Sequence, residues 1–194
     1  MTIRSFSALL YGTAALAACV APQAQAAVTV LGNGIARSCY EAAEFGGDIH
    51  DGIAECTLAL DESAMPTGDR AATFINRGIL KSRNGDSDGA LDDYNRGLAI
   101  GPNLGEGYVD RGAVMILLQR YDDAKKDIDT GIGMDAKKPE IAYYDRAIVD
   151  EALGDVRGAY EDYKKAVELA PDFALAADQL ARFKVVVHKR TDGT

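Results

Sequence analysis

The feature that most constrains this chain is an interval. Gly78, Gly112 and Ala147 lie 34 and 35 residues apart, and three other sets keep the same spacing: Ala90, Ala124, Ala159; Tyr94, Ile128, Tyr163; and Pro102, Ala136, Pro171. Four slots advancing together mark an internal repeat. The three units open alike, with Asn76-Arg77-Gly78, Asp110-Arg111-Gly112 and Asp145-Arg146-Ala147. In the first and third, the second halves also match, as Ala90-Leu91-Asp92-Asp93-Tyr94 and Ala159-Tyr160-Glu161-Asp162-Tyr163.

Each unit reads as a helical hairpin. Small residues at the first two slots let two helix backbones approach, and the Tyr or Ile four residues after the second slot lies on the same face and fills the crevice. Gly85-Asp86 and Gly154-Asp155 fall between the halves, where a turn needs a residue that reaches positive φ without steric cost. Pro102 and Pro171 stand where the second helix must stop. This spacing of small, turn, aromatic and chain-breaking residues resembles the tetratricopeptide repeat (TPR) family over about half the chain. The resemblance implies an all-α fold, an α-solenoid of antiparallel hairpins with units at 71–104, 105–138 and 139–173. The middle unit departs from it: Gln119 replaces the turn Gly, and Ala136 replaces Pro, with Lys137, Lys138 and Pro139 following. The one extra residue before the third unit is expected in a loop, where insertion costs little.

Ahead of the repeats, Met1-Thr2-Ile3-Arg4 supplies a positive charge, a small apolar stretch follows, and Ala24-Gln25-Ala26 has the small-x-small form of a cleavage site. Residues 1–26 are expected to be a secretory signal peptide, placing the protein in the periplasm with 27–34 as an extended leading segment. The apolar stretch is short for a membrane span. A second reading stays open, because Leu16-Ala17-Ala18-Cys19 resembles a lipoprotein cleavage box and would leave Cys19 acylated and the chain lipid-anchored in the envelope. Cleavage after Ala26 removes Arg4 and no acid, so 21 basic and 30 acidic side chains become 20 and 30. That balance argues against nucleic-acid binding, which depends on clustered Lys and Arg.

Cys39 and Cys56 are the cysteines left after such cleavage, and an even count in an exported chain favours a disulfide. They lie on two helical-looking segments around Gly46-Gly47-Asp48. Aligning Cys56 with Tyr94 sets Gly52 against Ala90 and Ala59 against Gly97, each 38 residues apart, so residues 35–64 read as a degenerate hairpin before a linker at 65–70. A cross-link suits an end unit that has a neighbour on one side only. A redox-active pair is the alternative, against which the long spacing speaks. After Pro171, residues 174–188 read as a capping helix with Leu175, Leu180, Phe183 and Val187 on one face, followed by a flexible tail at 189–194. Its basic end, His188-Lys189-Arg190, suits a helix C-terminus or, alternatively, an interaction tail.

Catalytic chemistry is not indicated. Two histidines, no Gly-x-Ser-x-Gly, no phosphate-cradling loop and no His-Glu-x-x-His give neither a nucleophile with its base nor a transition-metal site, and no cofactor is expected. Asn84-Gly85-Asp86-Ser87-Asp88-Gly89 has the first half of a calcium loop, but Asn95 stands where a bidentate Glu is needed. The same residues read as a turn and helix cap. Arg77, Arg111 and Arg146 share one slot and Asp93, Asp127 and Asp162 another, which predicts a ladder of bidentate ion pairs within or between hairpins. Ligand binding by these arginines is the rival reading.

In the TPR family the first helix of each hairpin lines the concave face where partners bind. The resemblance places Ile75, Ile79 and Ser82, Val109, Ala113 and Ile116, and Tyr144, Ile148 and Glu151 on that face. The family's carboxylate-gripping co-chaperones carry Lys and Asn there, so an apolar helix or extended peptide is the expected partner. The expectation is a noncatalytic interaction scaffold of unknown protein partner, touching a membrane only if lipidated at Cys19. The alternative is that the chain fills its own groove, with Val28 to Leu31 or with the last helix, since an exposed apolar patch is a liability.

Overall fold

The structure is a computed structural model that describes residues 6–8, 25–30, 34–62, 64–134, 136–183 and 185–187. Among these, β1 (Phe6–Ala8) precedes a hairpin of α1 (Ile35–Phe45) and α2 (Ile49–Asp61). Three further hairpins follow: α3 (Thr67–Arg83) with α4 (Ser87–Ile100), α5 (Gly105–Leu117) with α6 (Tyr121–Gly133), and α7 (Pro139–Leu153) with α8 (Val156–Leu169). The short α9 (Ala174–Leu180) and β2 (Val185–Val187) close the chain, β2 pairing antiparallel with β1. Each hairpin packs on the next through α2 and α3, α4 and α5, and α6 and α7. The fold is an all-α, TPR-like solenoid.

The repeated slots explain the packing. A Cβ at Gly78 would stand 2.8 Å from the Tyr94 ring, and one at Gly112 would stand 2.7 Å from Ile128. Glycine is therefore required where the aromatic or branched side chain crosses the partner helix. The contact is reciprocal one turn away, where Gly97 meets Ile75 and Gly131 meets Val109.

The three hairpin turns share one hydrogen-bond pattern. Asp86 N–H donates to Lys81 O, Arg120 N–H to Met115 O, and Asp155 N–H to Asp150 O, each bond closing the same helix-ending motif. Gly85 and Gly154 take φ of 82° and 83°, and Gln119 is forced to 57° in the same position. A side chain in this left-handed region costs about 1 kcal/mol. Asp86 and Asp155 then cap α4 and α8 by accepting from Gly89 N–H and Gly158 N–H, both at 2.9 Å, whereas Arg120 gives α6 no cap. The segment with half of a calcium loop is thus a turn whose Asp86 carboxylate serves as a helix cap.

The Arg and Asp slots meet within every repeat. Arg77 Nε and Nη2 donate to Asp93 at 2.8 and 2.7 Å, Arg111 to Asp127 at 2.6 and 2.9 Å, and Arg146 to Asp162 at 2.6 and 2.9 Å. The third donor, Nη1, reaches the preceding hairpin: Thr57 at 3.0 Å, Asn95 at 2.7 Å and Asp129 at 2.8 Å. Thr57 and Asn95 are 38 residues apart, the offset that aligns the first hairpin with the repeats. Each guanidinium also lies over an aromatic ring three residues earlier, Phe74, Tyr108 or Tyr143, at 5.3 to 5.6 Å. Every donor of this slot is aimed at the array itself, so the geometry is structural.

In the first hairpin, Cys39 and Cys56 bring their Cα atoms to 4.7 Å with the sulfurs within bonding distance. Both lie in the apolar cluster that continues into Ile75, Ile79 and Leu80.

Two boundaries differ from expectation. Helix α3 starts at Thr67, inside the expected linker, because Pro66 is compatible with a helix start and Arg70 ties the junction to Leu60 O and Glu62 O. The last helix stops at Leu180 rather than 188: the β-branched run Val185–Val187 favours extended backbone over a helix. Most of the expected leader, including Cys19, and the tail beyond 187 lie outside the described residues.

Candidate functional site

The inner face of the first helices is occupied. Residues 25–30 belong to no helix or strand, and all but Thr29 are buried. Ala27, Val28 and Val30 join the same apolar cluster as Ile75, Ile79, Leu98 and Val114. The hold on this segment is also polar. Asn76, fully buried, accepts from Val28 N–H and donates from its amide to Val28 O, both at 2.8 Å. One side chain thereby satisfies both backbone groups of one residue, as a neighbouring strand would. Gln25 donates to the Tyr94 hydroxyl at 3.3 Å, and Lys137 to Thr29 Oγ1 at 3.2 Å.

The slot that holds Asn76 in α3 holds Asp110 in α5 and Asp145 in α7. Their exposures are only 2% and 1%. Asp110 Oδ1 accepts from Ala26 N–H at 3.4 Å, and among the described residues the Oδ2 atom of each carboxylate has no hydrogen-bond partner. Burial pushes the Asp145 carboxyl up to about 7. Burial likewise holds Asp110 well above the ordinary carboxylate range, opposed by the Ala26 N–H and Arg83 and reinforced by Asp145 and Glu106. The Tyr94 hydroxyl is pushed up by burial and then by Asp110. Arg83 gives Nη1 to Ala43 O at 2.6 Å, so its hydrogen bond leads away from the acids.

The nine residues expected on the partner-binding face separate into groups. Ile75, Val109 and Tyr144 pack toward the second helices, Ile75 and Val109 against Gly97 and Gly131, and Tyr144 against the Tyr163 ring at 5.7 Å, while Ile75 also meets Gly107 of α5 and shares the cluster that takes Val28. Lying three residues before the small slot, they share its face and point at the partner helix. Ile79 and Ala113 are buried, Ile79 in the cluster that takes Ala27, Val28 and Val30. Ser82 and Ile116 are half-buried, Ile116 against the cluster of Val109 and Ile128. Ile148 packs on the C-terminal cluster of Tyr163 and Ala176, while Glu151 accepts from Tyr163 Oη at 3.0 Å and from Arg182 at 2.5 Å. The segment 25–30 fills the face from one side and the C-terminal cap engages it at the other.

Sequence reasoning passed over Asn76, Asp110 and Asp145 as functional residues. Their signal was present in the three opening triplets, where a polar residue stands each time just ahead of the arginine. A polar residue kept on a face this buried needs a partner from outside the hairpin.

Comparison with known proteins bears on the fold. No protein-family model matches the chain. Over 98 residues it is 32% identical to tetratricopeptide repeat protein 36 of Bos taurus, covering 46% of this chain and 52% of that protein. Over 101 residues it is 32% identical to a TPR repeat-containing protein of Methanocaldococcus jannaschii, covering 49% of this chain and 16% of that one. The chain thus spans about half the length of the first relative and far less of the second. Among solved structures it is similar to the first TPR of Spaghetti (RPAP3) bound to the HSP90 peptide SRMEEVD, with TM-score 0.56, 23% identity, and coverage of 59% of this chain and 93% of that domain. It is also similar to MamA, with TM-score 0.60, 18% identity and coverage of 73% and 80%. The Arabidopsis OM64 TPR domain matches with TM-score 0.57, 20% identity and coverage of 60% and 96%. The repeat interval, the stacked hairpins and these likenesses together show a tetratricopeptide-repeat-like fold.

Proposed function

We propose that the chain is a noncatalytic protein-interaction scaffold, exported to the bacterial envelope, whose groove takes an extended apolar peptide. The observation that carries this reading is the seat of Val28: both of its backbone groups are held by Asn76 while Ala27, Val28 and Val30 are buried beside it. A site built this way selects extended backbone and small apolar side chains, and so favours an extended partner over a helix. The RPAP3 domain is described with a bound peptide, which supports peptide binding on this fold. Its peptide, SRMEEVD, is acidic, whereas here Asp110, Asp145 and Glu106 stand near the seat and disfavour a carboxylate-rich ligand. The occupant seen now is the chain's own segment, so a partner competes with it.

Export rests on the leader expected over residues 1–26, and on Cys39 and Cys56, whose pairing as a disulfide belongs to an oxidising compartment. Co-purification from the native host tests the binding face. Partners are expected to be lost with Asn76→Ala and to be displaced by a synthetic peptide of residues 25–30. Partners retained undiminished in both cases overturn the reading.

A lipid-anchored envelope protein acylated at Cys19 is the second reading, favoured by Leu16-Ala17-Ala18-Cys19. Six residue steps from Cys19 to Gln25 reach at most about 20 Å, which would hold the array close to the membrane. Mass spectrometry of the isolated protein separates the two by finding Ala27 free or Cys19 acylated.

A further inference from the structure

We propose that Asp110, backed by Asp145 on the first helix of the next hairpin, is the receptor for the α-ammonium of Ala27 that is created when the leader is removed, so that processing adds an ionic contact to the hold on residues 27–30 that a partner must displace. This rests on the reading of residues 1–26 as a cleaved leader. Hydrolysis of the Ala26–Ala27 peptide bond adds one water; the new carboxylate leaves with Ala26, and the new amine stays on Ala27, protonated at neutral pH.

The unprocessed chain shows why such a cation fits. Two carboxylates at least 98% buried, each with an oxygen lacking any hydrogen-bond partner, are costly unless a cation or donor reaches them. The atom that now approaches Asp110 is the Ala26 N–H at 3.4 Å, a single neutral donor at long range. One residue further along the chain is Ala27 N, and consecutive Cα atoms are about 3.8 Å apart. Its position is already fixed, because Asn76 clamps the next residue, Val28, at two points. Cleavage replaces one neutral donor by an ammonium, and departure of Ala26 removes the group that now stands at Asp110. Nearby cations are engaged elsewhere: Arg83 bonds Ala43 O, and Lys137 bonds Thr29 and pairs with Glu106 at 3.9 Å. The groups facing Asp110 are Tyr94, Glu106, Arg83 and Asp145, and only one of the four is a cation.

The test begins with mass spectrometry of the chain exported by its host. An N-terminus other than Ala27, such as acylated Cys19, removes the leader reading and this inference with it. If Ala27 is found, the mature chain is compared with its Nα-acetylated form at neutral pH. The free amine is expected to raise Tm by at least about 2–4 °C. That difference is expected to vanish in Asp110→Asn, a cycle that isolates the pair. Equal melting of the free and acetylated forms overturns the receptor while leaving the leader reading intact. Should the Asp110→Asn chain fail to fold, the reaction of the Ala27 amine with an amine-directed reagent decides instead. In the folded wild-type chain it is expected to be slowed about tenfold or more relative to the unfolded chain. An unprotected amine sinks the proposal.

Discussion

Two slots, one residue apart on the same three helices, behave in opposite ways. Arg77, Arg111 and Arg146 find every partner inside the repeat array: a bidentate Asp on the second helix, an acceptor on the hairpin before, and an aromatic ring beneath. Asn76, Asp110 and Asp145, immediately preceding them, make no side-chain hydrogen bond there among the described residues. Asn76 bonds Val28, Asp110 bonds Ala26, and the second oxygen of each acid has no partner at all. A recurring polar slot whose partners recur with it holds the scaffold together. One whose partner comes from outside the repeat is where the scaffold meets something else.

That contrast can be broken from the scaffold side first. Asp93 is fully buried and receives both Arg77 and Lys81, so Asp93→Ala leaves two cations uncompensated. A loss of about 3–5 kcal/mol is expected in denaturant unfolding; a loss below about 1 kcal/mol, the range of an exposed pair, would reduce the ladder to surface decoration.

The groove side is expected to respond in the opposite direction. In the uncleaved chain Asp145 has a raised carboxyl, near 7. Between the unfolded value of 3.8 and about 7 the native state binds more protons than the unfolded state, so stability falls as pH rises through that window. Asp145→Asn removes this slope, and at pH 8 it is expected to melt higher than wild type, a gain of about 1–3 kcal/mol. Toward pH 4 the two chains converge. A difference between Asp145→Asn and wild type that does not grow from pH 4 to pH 8 contradicts the assignment of an uncompensated buried acid.

Asn76→Ala sharpens the comparison at smaller scale. Two hydrogen bonds to Val28 are lost at about 1 kcal/mol each, and limited proteolysis between residues 25 and 34 is expected to accelerate while the hairpins stay intact. Unchanged cleavage would mean that apolar burial alone holds the segment.

The smallest effect expected is in the middle turn. Gln119→Gly relieves a side chain at φ 57° and is expected to stabilise by about 1 kcal/mol, read as a rise in midpoint with an unchanged denaturant slope. Gly85 and Gly154, already glycine at φ 82° and 83°, are expected to lose stability on substitution by Ala, which calibrates the comparison.

Much of the scaffold was legible because its interactions are local and recur. The small slots, Gly85-Asp86 and Gly154-Asp155, and the alternation of Arg and Asp slots act within a hairpin or between neighbours. One interval therefore carries them all. The ends were less legible. Thr67 joins α3 because Arg70 reaches back to α2, a contact the spacing does not encode. The final helix stops at Leu180, where the repeat offers no register to extrapolate. In the groove, family position places Ile75 and Val109 on the binding face, and the structure adds that each also packs against a glycine of its partner helix.

By itself the sequence determined the period, and with it the helix pairs, their turns and the ion-pair slots, because each of these depends on residues a fixed distance apart along the chain. Only the tertiary structure decided what lies on the inner face. Val28 and Asn76 are 48 residues apart, and Ala26 and Asp110 are 84 apart. No periodicity links such pairs. They meet because stacked hairpins bring α3 and α5 to one face, and burial there leaves each amide and carboxylate dependent on whichever distant segment packs against it.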